Sequence, residues 1–341
     1  MRSYSVTAWN AALERLERPT PVPAGTEVLL TVDAAGVCHS DLHICEGHYD
    51  LGGGKRLRMA DRGVTLPLAM GHEIVGTVVA TGPDVEGVTV GSQRLVYPWI
   101  GCGVCETCQR GEEPYCLTPR FVGIFRDGGY ASHVVVPHPR YLLEFGDMPP
   151  EIAAPYACSG LTTFSALRKI DPAILRDEEI VLIGAGGLGL MCLTLLAAMG
   201  GRGAVVVDID PDKRAAALRL GALAAVDGGE PLPGVRAVID FVGSPDTVRL
   251  GLAALKKGGK LVLVGLIGGE LTIPLPPIAS RAITIQGSYV GTLAELRGLM
   301  DLVRSRPVAR VPTTRRKLDE ANAVLDELRA GKVVGRAVLV P

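Results

Sequence analysis

Ile183-Gly184-Ala185-Gly186-Gly187-Leu188-Gly189 follows the apolar run Glu179–Ile183 and leads into the uncharged segment that ends at Met199. A strand that turns on glycine and continues as a helix is the G-x-G-x-x-G arrangement that opens a doubly wound α/β domain. Alone the pattern is weak, and its context makes it strong. Gly184, Gly186, Gly187 and Gly189, with Leu188 between them, allow a tight turn. They also let a pyrophosphate approach the helix N-terminus, where free N–H groups and the helix dipole favour negative charge. Asp208 ends the next apolar run, 19 residues past Gly189. A carboxylate there suits the adenosine ribose hydroxyls and repels a 2′-phosphate, so NAD is expected over NADP. The competing role for Asp208, capping the helix that starts at Pro211, suits Asp210 better.

Strand and helix patterns continue to alternate around this turn. Ala204–Asp208, Val235–Phe241, Gly259–Val264 and Ala282–Gln286 read as strands, with helices over Gly187–Met199, Pro211–Leu220 and Asp246–Leu255. That alternation predicts a parallel sheet with helices on both faces. Two further helices are expected at Leu293–Arg304 and Lys317–Ala330, and a final strand, Ala337–Val340, is free to return to the first half. Before about residue 153 the texture is different. Short β-branched runs at 27–36, 74–81, 94–97 and 132–136 suggest a compact, mostly β domain. Gly47–Pro67, with Gly52-Gly53-Gly54 inside it, reads as a long loop.

The chain has 341 residues, enough for two cores, and its charge is balanced, with Lys+Arg 35 against Asp+Glu 36. Nucleic acid and anionic membrane are therefore poor partners. The uncharged stretch Ile180–Gly201 is long enough to cross a bilayer, but its bunched glycines favour strand, turn and buried helix. No signal peptide is evident at the N-terminus, so a cytoplasmic chain is expected. Eight cysteines in such a chain point to metal or catalysis rather than disulfides, and four of them fall within the fifteen residues 102–116.

Those four are Cys102-x2-Cys105-x2-Cys108-x7-Cys116. Thiolates at these intervals can close a tetrahedron around a structural zinc, with an iron–sulfur cluster as the rival. With no open position, such a site holds a loop and performs no catalysis. A second set is more dispersed. Cys38 and His72 are candidate ligands of another zinc. Ser40 and His43 follow Cys38 closely enough to move a proton, and Asp41 and Glu73 sit where carboxylates orient an imidazole. For Asp41 a surface charge is the plainer alternative. Cys158, in Ala157-Cys158-Ser159-Gly160-Leu161-Thr162, supplies a third ligand and leaves one position open. Cys192 is expected in the core, and His48, His133 and His138 have no evident chemical role.

The motifs VCHSDLH, GHEIVGTVVATG, CGVCETC with its fourth cysteine, ACSGLTTFSA, IGAGGLG, VVVDIDPDKR and GKVVGRAVLV resemble, in order, those of zinc-dependent medium-chain alcohol dehydrogenases. The match covers essentially the whole chain. It implies a GroES-like β-barrel catalytic domain (1–152), a Rossmann NAD-binding domain (153–287) and a C-terminal return to the catalytic domain (288–341). Alcohol dehydrogenases hold their catalytic zinc with a Cys2His set, which maps here to Cys38, His72 and Cys158. The four-cysteine loop maps to the structural zinc, so two zinc ions per chain are implied. Ser40 and His43 match the proton relay, Asp208 and Lys213 the ribose contacts, and His39 and Arg336 the surroundings of the cofactor phosphates. Trp99, just before the cysteine cluster, matches an apolar wall of the substrate pocket.

The implied reaction is reversible hydride transfer between an alcohol and NAD with zinc as Lewis acid. Two features favour a secondary, bulky or aromatic alcohol over ethanol. Ser40 replaces the threonine of many relatives, and the 47–67 loop is long enough to lid or widen the pocket, with its glycines as a hinge. A homotetramer, or a dimer, is implied as well. The alternatives are a zinc-free quinone or enone reductase of the same superfamily, against which the three ligand residues argue, and a zinc-ribbon binding module. The four-cysteine loop is not basic, which argues against the module.

Overall fold

A computed structural model describes all residues from Met1 to Pro341. Its centre is a six-stranded parallel sheet, spatially ordered 224–226, 204–207, 180–183, 235–240, 255–263 and 284–287. The chain leaves Ile180–Ile183 toward one edge, then returns to Val235–Asp240 on its other side. This reversal opens a crevice at the carboxyl ends of these two central strands, where Gly184 begins the turn. Its φ is +94°, and a side chain on Gly189 would lie 1.8 Å from the Gly184 carbonyl oxygen, so both positions need glycine.

The second sheet is mixed and seven-stranded, with 142–143, 93–96, 73–81, 28–37, 336–340 and 313–317 in order and 133–136 added beside 28–37. Arg336–Val340 pairs antiparallel with Val28–Val37, so the last strand lies in the same sheet as the early strands. The strands Val28–Val37 and Glu73–Thr81 form the long antiparallel pair at its middle. A continuous apolar core runs from this sheet through Ser159–Leu167 into the parallel sheet, and it fixes the two halves against each other.

Several local expectations are corrected. The 47–67 segment is not an open loop: His48–Gly52 and Lys55–Arg58 form an antiparallel hairpin, followed by a short 3-10 turn at Ala60–Arg62. Gly52, Gly53 and Gly54, all with positive φ, make its turn. Leu318–Ala330 does not continue as one helix from Lys317, because Thr313–Lys317 is a strand that pairs with Arg336–Val340. The strands Arg2–Val6 and Ala224–Val226 are too short and too little patterned to stand out in the sequence. No helix is long and apolar enough to cross a membrane, and Gly187–Ala198 is instead a buried helix of the α/β layer.

Candidate active site and metal centres

The pairing of Gly36 with Glu73 brings Cys38 and His72 to the same end of the long antiparallel pair. Cys158 arrives from the start of the helix Ser159–Leu167. All three are buried, and their ligand atoms lie within 4.8 Å of one another. The two sulfurs are 3.9 Å apart, far too long for a disulfide. In a tetrahedron with Zn–S bonds of about 2.3 Å the ligand–ligand edge is about 3.8 Å, so the spacing fits a shared zinc. His72 has no hydrogen-bond partner for either ring nitrogen, which leaves Nε2 available as a ligand. The neighbouring Cys158 thiol holds Cys38 well below its ordinary pKa, while Cys38 pushes Cys158 up. Two thiols sharing a proton in this way are ready to exchange it for a cation.

The carboxylates behind the ligands are not surface charges. Asp41 is fully buried. Its Oδ2 accepts from the Cys38 amide at 2.9 Å and from the Tyr130 hydroxyl at 2.9 Å, and its Oδ1 lies 3.3 Å from His72 Nδ1. It therefore fixes both ligand-bearing segments. Glu73 is also buried. It forms an ion pair with Arg336 and accepts from the Ser159 amide at 3.3 Å, tying the first, middle and last parts of the chain together. Burial pushes Glu73 up to about 7, against the opposing pull of Arg336. Gly36 is required beside it, since a Cβ there would lie 1.9 Å from Glu73 Oε2.

The four-cysteine loop is a separate centre. Cys102–Cys108 and Cys105–Cys116 sulfur distances are 3.9 and 3.8 Å, again the edge of a zinc–thiolate tetrahedron. A residue without a role in the sequence reading secures it. Glu113 is buried, accepts from the Gly101 amide and the Tyr141 hydroxyl at 2.8 and 2.9 Å, and pairs with Arg140 at 3.0 Å.

Cys38, Cys158, Ser40, His43, His39, Trp99, Asp208, Lys213, Arg336 and the glycine turn line one cavity between the two sheets. Ser40 and His43, three apart on the helix His39–Glu46, share a face. Burial, and the nearby His39, lower the His43 pKa, so the ring is neutral near pH 7 and able to accept a proton. Trp99 is almost fully buried, donates from Nε1 to the Ala157 carbonyl at 3.0 Å, and stands with its ring 5.2 Å from that of His72. Arg336 reaches the glycine turn as well as Glu73, since a Cβ on Gly187 would meet its Cδ at 2.6 Å. Asp210 caps the helix Pro211–Arg219, as expected. Asp208 accepts from the Ala185 amide at 2.7 Å and from the Asp210 amide at 2.9 Å.

The cavity fits a dinucleotide. Its lining includes the buried Thr162 and Ser288 hydroxyl oxygens, neither with a protein partner, and the uncapped N-terminus of Gly187–Ala198. Tyr49, Ile124 and Tyr289 also line it and were not legible in advance, because they come from the hairpin and from two loops with no motif of their own. Thr162 carried a signal: it sits one helical turn beyond Cys158. Outside the site, Cys192 is in the core. His48, His133 and His138 each make a local contact, to the Glu46 carbonyl, the Ser132 hydroxyl and the Arg140 amide.

A glycine-turn cavity lined by two of three residues able to hold a metal ion, Cys38 and Cys158 with His72 behind, fits a metal-assisted nicotinamide dehydrogenase. Residues 24–147 match the alcohol dehydrogenase GroES-like domain family, and residues 187–305 match the zinc-binding dehydrogenase family. The chain is 38% identical to NAD-dependent alcohol dehydrogenases of Sulfurisphaera tokodaii and Saccharolobus solfataricus, over 100% of each chain. The crystal structure of the alcohol dehydrogenase from Aeropyrum pernix superposes with a TM-score of 0.90 at 32% identity, covering 100% of both chains. Acetophenone reductase from Geotrichum candidum, in complex with NAD, superposes at 0.87 with 28% identity, covering 100% of this chain and 97% of that one. The chain belongs to the zinc-binding alcohol dehydrogenase family.

The position of Asp208 sets an expectation for cofactor choice. Asp208→Ser removes the charge that would repel a 2′-phosphate and also a brace of the turn. NAD efficiency should fall, and the NADP-to-NAD ratio of kcat/KM should rise about tenfold or more, which corresponds to ~1.4 kcal/mol. A wild-type preference for NADP would refute the assignment.

Proposed function

We propose that this protein is a zinc-dependent alcohol dehydrogenase that passes hydride between NAD and a secondary, bulky or aromatic alcohol, giving a ketone or aldehyde. The carrying observation is that Cys38, Cys158, Ser40 and His43 face the same cavity as the glycine turn. A zinc ion held by Cys38, His72 and Cys158 would supply Lewis acidity that lowers the pKa of the alcohol. NAD on the glycine turn would supply the hydride acceptor. The chain's own residues do the rest. Ser40, beside Cys38, accepts the substrate proton as it hands its own hydroxyl proton outward. Neutral His43, further out on the same helix face, receives it and passes it to solvent. Asp208 and Lys213 hold the adenosine ribose, and Arg336 and His39 stand near the phosphates. Trp99, with Tyr289 and Ile124, excludes water from the reacting centre.

The size of the alcohol follows from Ser40. One methylene in an apolar pocket is worth about 1–3 kcal/mol, enough to favour a second carbon substituent about ten- to two-hundredfold. The likeness to acetophenone reductase, whose name denotes an aryl ketone, supports this choice. The test is NADH absorbance with ethanol, a cyclic secondary alcohol and an aromatic alcohol, for wild type and Ser40→Thr. Ethanol winning in the wild type, or an unchanged ranking in the variant, would refute the pocket assignment.

The relay has its own expected result. Ser40→Ala should lower kcat by about 10²-fold or more, and His43→Gln far less, because water can replace the outer member. On acidification through a pKa below 6.5, where His43 becomes charged, wild-type activity should show only a modest step, and His43→Gln should lack it. Equal losses in the two variants would reverse or remove the assigned order.

The division at residues 152 and 287 into catalytic, NAD-binding and returning segments is part of this proposal. So is a homotetramer or dimer, which the exposed Leu275 and Ile285 near the parallel sheet's edge strand support. A cytoplasmic location agrees with eight cysteines that are all unpaired.

A further inference from the structure

Arg62 has no place in the machinery described so far. It ends the 3-10 turn that follows the hairpin, and its guanidinium lies 5.8 Å from the ring centres of both Tyr49 and Phe125. It donates to Met59 Sδ at 3.9 Å and has no ion-pair partner. Lys55, on the same hairpin, reaches Glu270 at 4.0 Å across the cleft. Tyr49, Arg62 and Tyr289 line one cavity, and the Arg62 cation opposes the burial that pushes both phenols up. Arg62 also lines a cavity of 560 Å³ between the hairpin and the parallel-sheet domain, with Leu57, Leu266 and Leu271 as apolar walls. Asp50 lines it too, but one of its oxygens is committed to the Gly52 amide at 2.8 Å.

This cavity is continuous in its lining with the active site, because Tyr49, Tyr289, Gly265 and Leu266 belong to both. Ring contacts lead from His72 to Trp99 at 5.2 Å and from Trp99 to Tyr289 at 6.2 Å, and Tyr289 adjoins Arg62. A half-buried guanidinium that rests on aromatic faces, with no carboxylate of its own, keeps its N–H fork for a planar anion.

We propose that Arg62, with the Tyr49 and Tyr289 hydroxyls, forms a carboxylate-binding subsite at the outer end of the substrate channel. The preferred alcohols then carry a carboxylate separated from the carbinol by an apolar or aromatic spacer. This rests on the dehydrogenase reading and narrows its substrate class. A neutral bulky alcohol fills the apolar part of the channel and leaves Arg62 unused. A charge-assisted, two-pronged contact improves binding about ten- to a hundredfold.

The test compares para-(hydroxymethyl)benzoate with para-methylbenzyl alcohol, using zinc-loaded wild type, Arg62→Met and Arg62→Lys. In the wild type the carboxylate should be favoured about ten- to a hundredfold in kcat/KM, through KM. Arg62→Met should bring the ratio to about one or below, and Arg62→Lys should recover part of it. Calorimetry with the unreactive para-toluate on the NADH-loaded protein gives a readout without turnover, and its binding should weaken by a similar factor in Arg62→Met. A wild-type preference for the neutral alcohol, a ratio unmoved by Arg62→Met, or toluate binding indifferent to Arg62 would overturn the proposal. If neither alcohol reacts but toluate binding still depends on Arg62, the subsite stands and the dehydrogenase reading falls.

Discussion

Cys38→Ser should abolish turnover while leaving a folded protein, and Cys105→Ser should do the reverse. Cys38, with His72 and Cys158, faces the cofactor cavity, whereas Cys102, Cys105, Cys108 and Cys116 close on one another in a loop remote from that lining. Removing one thiolate from the open set weakens the metal where the substrate oxygen must be polarised. A loss on the order of 10³–10⁴-fold in kcat corresponds to about 4–5.5 kcal/mol of lost transition-state stabilisation. The Cys38 backbone is still held by Asp41 and the site lies within a large core, so the chain should stay folded even though losing its zinc lowers the melting temperature. In the loop, by contrast, the metal replaces a core: it binds the folded chain and not the unfolded one. Cys105→Ser should lower stability by roughly 3–5 kcal/mol, with turnover per folded molecule preserved. Metal analysis by atomic emission should count two zinc ions in the wild type and one in each variant. A wild-type count of one, or loss from the same centre in both variants, would refute the two-site assignment.

Arg336→Met should be among the most destabilising single changes in the chain. Arg336 and Glu73 form an ion pair of which both members are buried, so removing the cation strands a carboxylate with no water to solvate it. Burial already pushes Glu73 up to about 7 with its partner present. Breaking such a pair costs about 3–5 kcal/mol, whereas replacing both members with neutral groups costs far less. The double variant Glu73→Gln/Arg336→Met should therefore recover much of the loss in chemical denaturation. The single variant should also lose stability progressively as pH rises from about 4.5 through neutrality, because the unfolded chain releases the Glu73 proton at its ordinary value while the stranded carboxyl of the folded chain holds it to higher pH. The KM for NAD should rise in both variants, since Arg336 also packs against the glycine turn. Equal destabilisation of single and double variants would show that Arg336 matters through packing alone.

These two cases differ in how visible they were beforehand. Cys102, Cys105, Cys108 and Cys116 are close in sequence, so their intervals alone restrict them to one small loop, and the thiolate set narrows the metal to zinc or an iron–sulfur cluster. Gly184 to Gly189 is equally local: a backbone turn and a helix start depend on consecutive residues, and Asp208 follows from the length of one helix and one strand. Such motifs determined the α/β class, the cofactor and the presence of a four-thiolate metal site. Cys38, His72 and Cys158 are distant in sequence, and without the family likeness only a guess would join them. They meet because Gly36 pairs with Glu73 across two strands and because a helix starts at Cys158, and strand register is a property of the folded sheet.

The same holds for the groups that sequence reading missed or left open. Asp41 could have been a surface charge until Tyr130, from a loop with no motif, was found to hydrogen-bond to it in the interior. Glu73 was expected beside the zinc, yet its partner Arg336 comes from the far end of the chain. The 47–67 segment looked like a loop because its strands are short, polar and exposed. It is a hairpin because its glycine turn has the required backbone and because its tip rests on Gly268 and Glu270 of the other domain. Arg62 has no motif to mark it, and only the packing of that segment places it at the cavity next to the active site. Local intervals thus determined which chemistry the chain contains. Long-range strand pairing and domain packing decided which side chains share a cavity and which are shut away from water, because burial and proximity are set by the whole fold.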